Sequence, residues 1–158
     1  MIVKTPTELA EALKPGQRLF GLDLGEKTIG LALCDVMLTV ATPFETLAKR
    51  KFSLDAETLI DLIKKHNVGG LVIGLPLNMN ATEGPSAQSA RAFARNFEAK
   101  HSLPILFWDE RLSTAAVTRT LIEADVSRAK RKDVVDKMAA AFILQGVLDF
   151  LTRRKPQA

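Results

Sequence analysis

The sequence predicts an α/β fold: a five-stranded mixed sheet, three antiparallel strands followed by two parallel ones, flanked by helices. Three observations point there. Residues 18–24, 28–34 and about 38–46 are strand-like runs joined by connectors of a few residues, so antiparallel neighbours are expected. Beyond them, two short apolar runs alternate with stretches of helical periodicity, the pattern of β-α-β units. A meander continued by such units gives a mixed sheet covered by helices.

Each element has a local reason. "TPTELAEALK" opens on a capping box, with Thr5 as N-cap, Pro6 at the first helical position and Glu8 three residues after the cap, and should run to about Lys14. After the three strands, "SLDAETLIDLIKKH" spaces its apolar residues as a helix does, with Ser53 as candidate cap. "VGGLVIGLP" is apolar on both faces, as a strand covered from two sides should be. The polar loop "NMNATEG" leads to a helix opened by Pro85 and ending near Lys100. "LPILFWDE" is the fifth strand, "STAAVTRTLIEA" a helix capped by Ser113, and "DVVDKMAAAFILQGVLDFL" a long last helix beginning near Asp133.

The 158 residues suit one domain, 1–158, with 47% hydrophobic and 25% charged residues. No apolar run reaches the roughly 18–20 residues needed to cross a bilayer, and no signal-peptide pattern opens the chain. Cys34 is the only cysteine, which excludes an internal disulfide. A cytoplasmic, membrane-free protein is the expectation. With 22 Lys+Arg against 18 Asp+Glu the net charge is +4, compatible with a polyanionic partner. The bases cluster in "KRK" at 49–51, "RAKRK" at 128–132 and "RRK" at 153–155, each of which alone reads more readily as solvated surface than as a binding site.

The acids are more telling. Asp23 stands inside an apolar strand, and its neighbours two residues away on the same face, Gly21 and Gly25, have no side chains. A buried carboxylate must be paired, hydrogen-bonded or bound to a metal. Asp109 and Glu110 leave the end of the fifth strand, where open α/β sheets bind ligands; alternation puts them on opposite faces, and the register is open. Asp136 lies at the margin of the last helix's apolar stripe, three, four and seven residues before Ala139, Ala140 and Ile143. Small Ala139 and Ala140 would bring that helix close to the sheet. Acids converging from the first strand, the last strand and the last helix would repel one another, and a hard dication such as Mg²⁺ relieves that. His66 and His101 follow helices and read as surface, and Cys34 as an inert, partly buried thiol.

"GLDLGEKTIGLALCD", "GLPLNMNATEG", "DERLST" and "VDKMAAAFILQ" together resemble the YqgF (RuvX) family of ribonuclease H-like nucleases, in order and over nearly the whole chain. The resemblance implies a ribonuclease H-like fold and a metal-dependent nuclease acting on nucleic acid. Its members are associated with processing the 5′ end of the small-subunit (16S) rRNA precursor and with Holliday junction resolution. By resemblance, the family's catalytic and metal-binding acids fall on Asp23, Glu110 and Asp136. Two departures stand out: Cys34 where a serine is usual, and Asn80-Ala81 in place of the commoner Asp-Gly.

On this basis the expected mechanism is in-line phosphodiester hydrolysis with two Mg²⁺ or Mn²⁺ ions about 3.5–4 Å apart, one activating water and one stabilising the leaving oxygen. Asn78, Asn80 and Thr82 are candidate donors to phosphate or sugar oxygens. Arg111, Lys130, Arg131 and Lys132 are candidate contacts to the backbone of precursor or structured RNA, or of branched DNA. Two other classes compete: an actin-like ATPase or sugar kinase, which needs a second such domain, and a non-catalytic RNA-binding assembly factor. The expected oligomeric state is a monomer or weak homodimer.

Overall fold

A computed structural model describes residues 1–112 and 128–154, with side chains along the last helix from 136 to 153. Six strands form its sheet: β1 (Ile2–Val3), β2 (Arg18–Leu24), β3 (Thr28–Cys34), β4 (Ala41–Ala48), β5 (Val68–Leu75) and β6 (Ile105–Asp109), in the order β1-β6-β5-β2-β3-β4. The described helices are α1 (Pro6–Glu11), α2 (Phe52–Lys65), α3 (Pro85–Lys100) and α4 (Arg128–Arg154). β2 is central. It pairs antiparallel with β3 and parallel with β5, which in turn pairs parallel with β6.

Alternation along the strands divides the core in two. Phe20, Leu22, Leu31, Leu71, Ile73 and Ile105 face α2 and α3. Leu19, Ala32, Val72 and Leu106 face α1 and α4, where they meet Ile143, Leu144, Val147 and Leu148. Each fully buried aliphatic side chain stabilises by about 1.5–3 kcal/mol, so both sandwiches hold their helices firmly.

The structure corrects the expected elements in several places. A sixth strand, β1, adds Ile2 and Val3 in parallel to Ile105 and Leu106; two residues are too few to show alternation in a sequence. The third meander strand starts at Ala41 rather than near residue 38, because the Asp35 carboxylate accepts hydrogen bonds from the Thr39 and Val40 amides and the Thr39 hydroxyl. Burial alone would raise the pKa of Asp35, but those bonds from Thr39 and Val40 outweigh it and hold the group at about 2. Thr5 caps α1 as expected, accepting the Glu8 amide at 3.1 Å, but the helix stops at Glu11. α2 starts at Phe52 without a Ser53 cap; the buried Asp55 carboxylate instead accepts the Arg50 amide at 3.1 Å. α4 begins at Arg128, so Asp133 is an interior helical residue and not a cap. The helix expected over 113–124 lies outside the described residues.

Candidate active site

Asp23 lies near the carboxyl end of β2, 8% exposed, on the α4 face. Gly21 and Gly25 flank it along the strand. Across the β3 ladder its partner is Gly30. On the β5 side the register Leu22↔Ile73 makes Gly74 the next position. Asp23 is therefore framed by glycine on all four sides of its face, and only the first pair was legible from spacing along the chain.

The frame is where the other two acids come in. A Cβ on Gly30 would collide with the Asp136 carbonyl, so the glycine lets α4 cross β3 at Asp136. A Cβ on Gly21 would lie 2.7 Å from Leu144 Cβ and 2.8 Å from the Ala140 carbonyl. Helix alanines and sheet glycines thus meet from both sides: Ala139 and Ala140 are fully buried. The Thr28 hydroxyl donates to Asp136 Oδ2, fixing the carboxylate from the first residue of β3. Sequence reasoning missed Thr28, although it shares a face with Gly30 in a period-two run. At Gly74, a Cβ would lie 2.9 Å from Glu110 Oε1. Glu110 accordingly reaches over β5 on the face that carries Asp23. Asp109, the neighbouring strand residue, belongs to the opposite face.

Asp109 is engaged elsewhere. Arg111 donates to both its carboxylate oxygens, at 3.1 and 2.7 Å, and this pairing lowers the Asp109 pKa and raises that of Arg111. The same guanidinium donates through Nη1 to the carbonyls of Asn78 and Met79 at 3.4 and 3.2 Å. Arg111, expected on nucleic acid, is thus a tie between the end of β6 and the loop after β5. That loop is closed on itself. Asn78 Nδ2 donates to the Thr82 hydroxyl at 2.9 Å, the Thr82 hydroxyl to Asn80 Oδ1 at 2.6 Å, and the Ala81 amide to the Asn78 carbonyl at 2.8 Å. Asn78, Asn80 and Thr82 therefore bond one another. Ala81 sits at φ 67°, the left-handed region where the commoner glycine would be unstrained. Lys130, Arg131 and Lys132 fall in the first turns of α4, and their side chains lie outside the described residues.

His66 and His101 are half-buried rather than surface residues: each packs its ring at the end of a helix, His66 edge-on to Phe44 at 4.9 Å and His101 to Phe97 at 6.3 Å. Both belong to the α2–α3 side. Cys34 is 2% exposed, burial pushes its thiol up, and its Sγ accepts the Leu19 amide at 3.2 Å.

The donor set, three carboxylates and no imidazole among the described residues of that corner, has the chemistry of a hard dication site. Among the described residues no three Asp, Glu, His or Cys side chains lie together as a ready-made ligand cluster. Asp23, Glu110 and Asp136 all lie on the α4 face of the sheet, Asp136 over Gly30 and Glu110 over Gly74.

A glycine-framed aspartate on the central strand of a mixed sheet, with further acids brought in by the last strand and last helix, defines a ribonuclease H-like domain. The RuvX family model, described as a Holliday junction resolvase, matches residues 17–150, and the chain belongs to that family. It is 59% identical over 149 residues to a protein of Paramagnetospirillum magneticum named "Putative pre-16S rRNA nuclease", covering 94% of this chain and 96% of that one. A protein of Methylocella silvestris with the same name is 59% identical over 151 residues, covering 96% and 94%. Among solved structures, Thermus thermophilus RuvC in complex with a Holliday junction superposes with a TM-score of 0.55 at 11% identity, covering 89% of this chain and 99% of that one. At that identity the likeness concerns the fold.

Proposed function

We propose that this chain is a divalent-metal-dependent nuclease that hydrolyses phosphodiester bonds and processes the 5′ end of the 16S rRNA precursor. The observation that carries this is the glycine-framed Asp23, with Asp136 crossing at Gly30 and Glu110 reaching over Gly74. The names of the relatives at 59% identity support the choice of substrate.

Asp23, Glu110 and Asp136 would hold Mg²⁺ or Mn²⁺, two ions in the fullest reading. Bound there, the ions would lower the pKa of an attacking water and stabilise the leaving oxygen. The protein's own part is positional. β2 fixes Asp23 from the sheet, the Thr28 hydroxyl holds the Asp136 carboxylate, and Arg111 keeps Asp109 out of the cluster. The glycines let α4 and Glu110 pack directly onto β2, β3 and β5, which brings the three acids to one face of the sheet.

Resolution of Holliday junctions is the second reading, favoured by the description of the matching family model and by the RuvC likeness. A side-by-side panel decides: labelled 16S precursor RNA, single-stranded RNA and a four-way DNA junction, each with Mg²⁺, Mn²⁺ or EDTA. Cutting of the precursor that EDTA abolishes supports the first reading. Paired cuts in the junction alone would replace it with the second. Binding of RNA without cutting under any condition would leave a non-catalytic assembly factor.

A further inference from the structure

Two apolar side chains stand out in water beside the acid site. Met79 is 94% exposed and Leu112 is 66% exposed. Met79 is at the tip of the loop that follows β5, and Leu112 ends the short 3-10 turn that begins with Glu110. One group joins them: the guanidinium of Arg111, next to Leu112 in the chain, bonds the carbonyls of Asn78 and Met79.

Their surroundings narrow what could cover them. The loop's polar side chains bond one another, and its most exposed apolar group is the Met79 thioether. The rim acids are neutralised: Glu83 accepts Arg91 Nε at 2.6 Å, and Asp109 is paired with Arg111. A polyanion approaching Asp23 from this side meets no uncompensated charge at either rim acid. The loop is held near its tip by Arg111 and closed at its base by the Leu77–Glu83 bridge. On the nuclease reading, a fixed apolar tip beside the three acids would lie next to the bases attached to the phosphate being cut. Val36, Met37 and Val40 are also exposed, but at the opposite end of the sheet, where nothing on their surface indicates a partner.

We propose that Met79 and Leu112 form an apolar wedge that packs against an unstacked nucleobase next to the scissile phosphate. The inference rests on the nuclease reading above. It names single-stranded or locally opened nucleic acid as the substrate class, because a base inside an intact duplex presents no free face. It also gives the loop a role beyond any contact its asparagines make.

The test uses the full chain with Ca²⁺ in place of Mg²⁺, so that substrate stays intact. Bulged RNA and four-way DNA junctions carry 2-aminopurine at successive positions, and its fluorescence rises when the base unstacks. A several-fold rise at one position is expected for the parent. Met79→Ser and Leu112→Ser should abolish the rise and weaken binding roughly 5- to 10-fold, with the salt dependence of affinity unchanged. Met79→Leu should retain both. Serine variants indistinguishable from the parent would overturn the wedge, as would a parent that binds with no fluorescence change at any position. A parent that binds none of the nucleic acids would sink the nuclease reading as well.

Discussion

At Asp23 an amide would keep the side chain's shape and lose its charge. Asp23→Asn is therefore expected to bind nucleic acid within a few fold of the parent while cleaving at least ~100-fold more slowly, the scale of loss when metal-ion chemistry is removed. Activity within a few fold of the parent, in protein free of contaminating nuclease, would remove Asp23 from the site. Asp35, at the far end of the sheet, is a test of stability instead. Its folded pKa of about 2 lies below the ordinary value near 3.9, so its contribution is fully present above about pH 5 and fades as pH falls through the folded value. Denaturant titrations of the parent and Asp35→Ala should differ at neutral pH and converge between pH 4 and pH 2. A gap that persists at pH 2 would mean the Thr39 bonds contribute nothing through ionisation.

Among the elements, the contact of α4 with the sheet decides whether the acids meet. Gly30→Ala puts a methyl group where the Asp136 carbonyl lies. Overpacking of that kind costs about 1–3 kcal/mol, and it should also shift Asp136 off Thr28 and reduce cleavage by more than an order of magnitude. A thermal midpoint and a cleavage rate both unchanged would show that α4 approaches elsewhere. This contact was half legible. Ala139 and Ala140 announce a close helix, and the apolar spacing of β2, β3 and β5 announces the strands. Gly30 and Gly74 were not legible as its other half, because which residues stand opposite across a ladder depends on register, and register is a property of paired strands. The same limit left open which of Asp109 and Glu110 faces the site until the contact of Glu110 with Gly74 fixed the register. The polar loop is ambiguous in another way: Asn78, Asn80 and Thr82 are the residue types that bind phosphate oxygens and also the types that close turns, and here they bond one another.

For the whole molecule, the last helix bears on assembly. A junction resolvase makes two symmetric cuts and so works as a two-fold dimer. The apolar stripe of α4, from Ala139 through Leu144 and Val147 to Leu151, is buried against the chain's own sheet, so that stripe is not available to a second copy. We expect sedimentation at micromolar concentration to give a monomer or weak dimer, and loosely structured RNA to be cut faster than four-way junctions. A tight dimer making paired nicks would transfer the substrate to branched DNA while leaving the three acids in place.

The glycine frame also sets a rhythm. Glycine in a strand has more freedom to lose on folding and nothing to shield the neighbouring amides, so a sheet built this way opens first where glycines gather. Around Asp23 they stand at Gly21, Gly25, Gly30 and Gly74, whereas Phe20 and Leu22, three residues and one residue before Asp23, lie fully buried. In deuterated water the amides of Leu24 and of Gly25, just past the strand, should therefore exchange well before those of Phe20 and Leu22, a gradient along β2 and its exit. A protein that holds still along most of its central strand would then breathe at the one end where a phosphate has to enter and leave.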